Sequence, residues 1–362
     1  YNQKNTIRKV TLSSTMNQRL HTRAMLRSGI IATNFIIDYN EQIREKIHSD
    51  LKSLVNAKNQ TQTIQAFSQL QYKFTDNITL LGGLHYLHLL LNNTKSLEPR
   101  ASIKWDMHTK HSLSLGYGKH SQLQGWGVYF ASLQNAQGVN MMPNKDLKFS
   151  KAAHYVLSHN YQINKSLRLK TELYYQALSQ IPVSISDTNT FSAINTQADY
   201  IREELVNKGN GKNYGIEISL EKQLSNHLYY MLSTSLYQSK YTASNGKEYN
   251  TKYNGNQIMN FTGGKEFVSG NNKRTLGIHL KMVYAGGYRT TPINLYQSSI
   301  DETTVYYQQL AYTTQLPAYF RSDIRISMKW NRKHLTSTLS LDIQNVTNRQ
   351  NVYDQFYDVD SK

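Results

Sequence analysis

Cysteine is absent from the 362 residues. No disulfide frame, thiol nucleophile or thiolate metal site can be built from this chain. Long apolar runs are absent too. No stretch approaches eighteen consecutive apolar residues, which excludes a helical membrane span. Only 39% of the residues are hydrophobic. That low share leaves a membrane β-barrel open, because only every second strand residue of a barrel faces lipid. Trp and Phe are scarce, at 3 and 10, whereas Tyr is abundant at 27. Tyrosine suits strands and also suits the headgroup zone, where its ring sits in hydrocarbon and its hydroxyl in water. The net charge of +17 raises a nucleic-acid partner as a first thought. The Lys and Arg are spread along the chain instead of gathered in a patch or on a helix, so they read as lumen, turn and loop charges, with no nucleic-acid partner.

What is present is alternation. Ile324, Ile326, Met328 and Trp330 interleave with Asp323, Arg325, Ser327 and Lys329. After a polar turn at Asn331-Arg332-Lys333-His334, Leu335, Leu339, Leu341 and Ile343 interleave with Thr336, Thr338, Ser340, Asp342 and Gln344. This is a β-hairpin whose strands each have an oily and a wet face. Each run has about ten residues, the length a tilted strand needs to cross a bilayer, against about five or six for a strand of a soluble sandwich.

The same pattern recurs along the chain. Strands are predicted at 5–16, 21–39, 61–74, 78–91, 99–106, 112–122, 152–162, 167–184, 214–222, 228–242, 257–268 and 275–288, before the hairpin already described. Tight turns are expected at Asn17-Gln18, Asp76-Asn77, His108-Thr109-Lys110, Asn164-Lys165, Asn226-His227 and Gly270-Asn271-Asn272-Lys273. Between Glu41 and Asn56, Ile43, Ile47, Leu51 and Leu54 are spaced like one helical face, which predicts a short surface helix. Long connections are expected at 125–150, 187–211 and 290–316. The reading is all-β: an antiparallel transmembrane barrel wall of about fourteen strands, with short turns at the periplasmic rim and long loops outside. No fixed repeat period supports a propeller. The chain starts at Tyr1 and ends in the polar Asp358–Lys362, and the expectation is a partial barrel cut from a longer protein.

Candidate chemistry is thin. His85 and His88, like His108 and His111, are three apart, which puts them on opposite faces of a strand and not in a ligand pair. Glu217 and Glu221 share a strand face about 13 Å apart, too far for a glycosidase pair; they read as lumen charges that need water or cations. Gly82-Gly83, Gly263-Gly264 and Gly286-Gly287 open no helix and make no phosphate loop. Asn77-Ile78-Thr79 and Asn345-Val346-Thr347 match the glycosylation pattern without meaning in a bacterial outer membrane. Trp126, Tyr129 and Phe130 fall in a long outside loop, where exposed aromatics stack on a ligand or pack the loop against its neighbours. No catalytic triad, metal motif or cofactor fingerprint occurs, so neither an enzyme nor a cofactor is expected.

The strings Leu97-Glu98-Pro99-Arg100-Ala101-Ser102 with His111–Gln122, Asn213–Tyr241, Gly263–Phe267 and Gly286–Pro292 follow one another along the chain. Leu316–Trp330 and Leu341–Asn351 complete the series. In this order they resemble the barrel of TonB-dependent outer-membrane receptors, especially the Bacteroidota type with a carboxypeptidase-regulatory-like N-terminal domain. The resemblance implies a barrel of roughly 22 strands with a plugged lumen, of which the plug, early strands and final strand lie outside this chain. It implies energised uptake of a bulky nutrient such as a glycan, peptide, siderophore or cobalamin across a Gram-negative outer membrane, with TonB acting through the plug and with a surface lipoprotein as an eventual partner. Arg325, Lys329, Glu217 and Asp323 are expected to line the lumen. A passive porin or structural barrel is the alternative, and a soluble β adhesin a third reading.

Overall fold

The computed structural model describes residues 2–44, 51–134, 137, 139–196, 201 and 203–359. Its main body is one fifteen-stranded antiparallel sheet. The long strands are β1 (Asn2–His21), β2 (Ala24–Arg44), β3 (Leu51–Lys73), β4 (Ile78–Leu89), β5 (Thr94–His108), β6 (His111–Gln122), β7 (Ser150–Asn164) and β8 (Leu167–Ser184). They continue with β9 (Leu205–Ser225), β10 (Leu228–Thr242), β11 (Gln257–Val268), β12 (Arg274–Ala285), β13 (Tyr319–Asn331) and β14 (Thr336–Ile343). Each pairs with its neighbours in chain order, and a three-residue strand, Glu248–Asn250, flanks β10. The fourteen-strand reading therefore holds, with β1 and β14 as the two sheet edges.

The two faces of this wall differ as the alternation requires. Leu80, Ile103, Leu115, Leu157, Leu173, Ile216 and Leu236 are register partners across seven consecutive strands. On the last hairpin Ile326 pairs with Leu341 and Met328 with Leu339. Leu339 and Leu341 are 68% and 60% exposed, the signature of a surface made for hydrocarbon. The intervening residues carry ion pairs: Arg168–Glu221 at 2.5 Å, Lys170–Glu172 at 2.5 Å, Arg321–Asp323 at 2.8 Å and Arg325–Asp342 at 2.5 Å. Glu221 thus finds the cation its position calls for, while Glu217 lies opposite Glu172 and Ser235. A polar inner face of this kind needs water or further polar groups in the lumen.

Tight turns close every hairpin at one rim. Asn226 and His227 both have positive φ, 52° and 61°, the geometry of the two-residue turn that matches strand twist. Two sequence expectations are corrected. The first turn is not at Asn17-Gln18: these residues pair with Arg27 and Leu26, and the chain reverses at Thr22-Arg23. The helix expected between Glu41 and Asn56 gives way to strand at both ends, with Glu41 paired to Val55 and Asn40 to Asn56; residues 45–50 lie outside the described residues. Here β2 and β3 run past the level where lipid enforces alternation, so an irregular apolar spacing sits on extended backbone.

The histidine pairs also differ from each other. His85 points inward to Glu98 (2.9 Å) and Gln65 (3.1 Å), while His88 meets Asn93 (2.8 Å). His108 and His111 are not on one strand: they are register partners flanking the turn. His111 stacks between His159 and Tyr161, at ring distances of 5.4 and 4.3 Å.

Candidate functional site

The long connections all leave the other rim and fold over it. The loop 123–149 carries α1 (Trp126–Tyr129). Its side chains turn inward: Tyr129 and Phe130 are fully buried, in one cluster with Ile37, Tyr39, Val55, Leu87 and Leu89 from β2, β3 and β4. Trp126 is half-buried, its ring 5.0 Å from Phe35 and 5.9 Å from Tyr129. Tyr129 and Phe130 are therefore not exposed as expected of the ligand-stacking reading; they take the other expected role, packing the loop against its neighbours, and anchor it. The cause lies in the strands, whose inward face becomes apolar at this rim and offers the loop a hydrophobic seat. Burial pushes the Tyr129 hydroxyl up to about 12.

On the opposite side the mouth stays polar. A cavity of about 300 Å³ lies among the loops 185–204, 243–256 and 286–318 and the segment after β14. Lys252, Tyr288, Arg289, Tyr306, Tyr312 and Asp354 line it. The Lys252 ammonium stands 6.0 Å from the Tyr288 ring centre and 5.9 Å from that of Tyr353, within cation–π range, and 3.9 Å from Asp354. Arg289 donates to the Asn254 carbonyl at 3.1 Å and to Asn256 Oδ1 at 2.7 Å. Burial raises the Tyr312 hydroxyl to about 12, so it is a neutral hydrogen-bonding group at any physiological pH. The arrangement sets two cations and several phenols beside two carboxylates, Glu203 and Asp354, and can hold a hydroxylated ligand, or an anionic one in place of the Asp354 carboxylate.

The glycine doublet 286–287 makes this mouth. A Cβ on Gly286 would collide with the Gly255 carbonyl, and one on Gly287 with the Leu316 carbonyl. Backbones of two connections cross there, the 286–318 connection also folding back on itself, with Gly286 N–H donating to Gln257 and Leu316 N–H to Tyr288. The sequence reading missed this role; the doublet was its signal, since adjacent glycines mark close backbone approach.

Below the rim are further spaces, two of which bear on the mouth. One, of about 730 Å³, lies between the loops and the inner face of β6, β7 and β8, and includes His120 and His154 with ring centres 4.7 Å apart. The other, about 470 Å³, is a lumen groove lined by Glu172, Tyr174, Asn213, Glu217 and Tyr237. Tyr237 donates to the Tyr253 carbonyl at 3.0 Å, and the Tyr253 ring lies 5.7 Å from that of Tyr288 in the mouth. Among the described residues no group of three or more His, Cys, Asp or Glu is placed to hold a metal ion.

Comparison with solved structures gives the wall a context. The chain superposes on the ferric-catecholate import receptor Fiu of E. coli K12 with a TM-score of 0.66 at 13% identity, covering 96% of this chain and 51% of that one. It superposes on BauA, the ferric preacinetobactin receptor of Acinetobacter baumannii, with a TM-score of 0.64 at 12% identity, covering 95% and 50%. The FrpB iron transporter of Neisseria meningitidis gives 0.62 at 15%, covering 96% and 52%. At these identities the likeness is one of fold, and the chain spans about half the length of the structures it matches. No curated protein matches it. The family description "TonB dependent receptor-like, beta-barrel" matches residues 7–346. With its antiparallel wall, two-faced strands and one-sided long loops, the chain belongs to the TonB-dependent receptor β-barrel family, proteins of the Gram-negative outer membrane.

Proposed function

We propose that this wall belongs to an active transporter that takes up a bulky, scarce nutrient, and that the polar half of the mouth holds an anionic ligand first. The observation that carries the reading is the loop cavity with Lys252 and Arg289 among tyrosines. The names of two matched structures, receptors for a ferric catecholate and for ferric preacinetobactin, support an anionic iron chelate as the substrate class. TonB would act through a plug that lies outside this chain. Further strands would complete the wall, because an unpaired sheet edge in lipid costs several kcal/mol per bare backbone group and β1 and β14 are such edges. The ordered strings from Leu97 to Asn351 support a Bacteroidota source, and with it a surface lipoprotein partner.

The test uses the full-length protein in outer-membrane vesicles and whole cells, with a ferric tris-catecholate as probe. Replacing Lys252 by Met keeps the stem and removes the charge; it is expected to weaken binding by roughly tenfold. Uptake is expected to stop when TonB is deleted. Uptake that continues without TonB would establish a passive pore instead, and binding unchanged in the Lys252→Met variant would remove the mouth assignment.

A further inference from the structure

The polar mouth and the space of about 730 Å³ behind it share one wall. That wall is the 3-10 turn Ala193–Asn195 in the loop 185–204. Phe191 and Asn195 line the mouth, while Ala193, Ile194 and Thr196 line the space behind. The turn is fixed from both sides. Ser192 Oγ donates to the Pro182 carbonyl at 3.4 Å, and Ser192 bridges to Val183 at the end of β8. Asn195 Oδ1 accepts the Lys252 N–H at 2.8 Å. The residue that brings an ammonium group to the mouth is thus one hydrogen bond from the divider, and Ile194, next to Asn195, already belongs to the other side.

The chemistry changes across this turn. On the mouth side are Lys252, Arg289 and several phenols. Behind it, Leu123 and Val128 of the loop 123–149, Leu178, Ile181 and Pro182 of β8, and Ile194 bring aliphatic side chains together. His120 and His154 form the polar side, on the inner face of the wall. No Phe, Tyr or Trp is among the described residues that line the space. Val128 and Ile181 are each only 4% exposed, so the space is enclosed by packed elements. Protein interiors leave few voids larger than a water molecule, and a mostly apolar space of this size with a few polar groups is what part of a small-molecule ligand fills. Aliphatic walls without a stacking ring suit a flexible hydrocarbon chain better than a flat aromatic group.

We propose that this space takes the aliphatic arm of the ligand whose anionic head sits in the mouth, so that the substrate is an acylated, amphiphilic chelate. The head rests on the mouth reading given above; the arm rests on the aliphatic lining. The ligand straddles the turn Ala193–Asn195, with Lys252 and Arg289 on its charged part and Ile181 and Ile194 on its chain. Two small side chains keep the room for it: Ala193 on the divider and Ala152, the register partner of His120 on β7.

The experiment uses the full-length protein in lipid nanodiscs and two probes, a ferric tris-catecholate and the same chelate carrying an octanoyl arm. Wild-type protein is expected to bind the acylated chelate about tenfold or more tightly than its parent, because methylenes leave water. Ala152→Phe with Ala193→Leu fills the space and is expected to bring that ratio to about one, whereas simple partition of the chain into the nanodisc lipid would leave the ratio high. Lys252→Met is expected to weaken both probes alike and keep their ratio. A Lys252→Met variant without effect removes the head site. Equal affinity of wild type for the two probes, with Lys252→Met still weakening both, removes the arm alone. A second measurement is independent of the head: decanoic acid with a photoreactive diazirine near its chain end, its adducts mapped residue by residue by mass spectrometry. Labelling is expected at Leu178, Ile181 and Ile194 in the wild type and is expected to vanish there in the filled variant. Label confined to lipid-facing residues such as Leu173 and Tyr175, or a preference for the acylated chelate that survives filling, would overturn the proposal.

Discussion

The carboxamide of Asn351 fills both hydrogen-bonding positions of Phe320. Its oxygen accepts the Phe320 N–H at 2.9 Å, and its own N–H donates to the Phe320 carbonyl at 3.0 Å. Beyond Ile343 the chain has left β14, yet β13 keeps its partners: Val346 N–H donates to Ser322 at 2.8 Å and Asn345 N–H to the Asp323 carboxylate at 2.8 Å. The same segment carries Tyr353 and Asp354 to Lys252. Replacing Asn351 by Ala removes two hydrogen bonds of about 0.5–1.5 kcal/mol each. Hydrogen exchange of the Phe320 amide is expected to speed up by roughly tenfold or more, with the amide of Ile326 unchanged. Equal protection in both proteins would show that the amide is held by something else.

A second prediction concerns facing. Ile326 and Leu341 are register partners on the outward side, and Ser327 and Thr338 lie on the inward side. Lysine at Ile326 or Leu341 is expected to destabilise the barrel by ~2–4 kcal/mol near mid-membrane. Lysine at Ser327 or Thr338 should have a much smaller effect. Unfolding titrations in lipid vesicles give both values, and equal effects would overturn the assignment of the two faces.

The buried loop anchor gives a third. Phe130→Ala should lose about 3–5 kcal/mol of packing between loop 123–149 and the wall. Limited proteolysis is expected to cut the loop of the variant far faster than that of the wild type, while the strands stay intact.

Burial of phenols makes the mouth sensitive to high pH. Burial holds the Tyr129 and Tyr312 hydroxyls at about 12 when folded, against about 10 for a tyrosine in water. An acid whose pKa is raised on folding contributes fully below its unfolded value, and that contribution is lost as pH rises towards the folded one. The loops should therefore loosen between pH ~10 and ~12. Tyr129→Phe should reduce this alkaline sensitivity, as read by ultraviolet titration and by the onset of proteolysis.

The strands were legible because lipid on one side and water on the other impose a period of two over long runs. That constraint ends at the rim, and there the reading failed. Ile43, Leu51 and Leu54 lie on strand backbone where helical spacing misled, because β2 and β3 rise out of the bilayer as a paired ribbon. The anchoring of Tyr129 and Phe130 depends on Ile37, Val55 and Leu87, which come from three other strands. No local pattern around residue 129 contains that information. The role of Gly286-Gly287 likewise rests on Gly255, brought in by a separate connection, and on Leu316, from the far end of their own.

The placement of turns and connections has a consequence of its own. Each long segment departs from and returns to the same end of the wall, so it can lengthen, shorten or be exchanged without moving a single cross-strand partner. Recognition can thus be rewritten one segment at a time on a scaffold that never has to be re-registered.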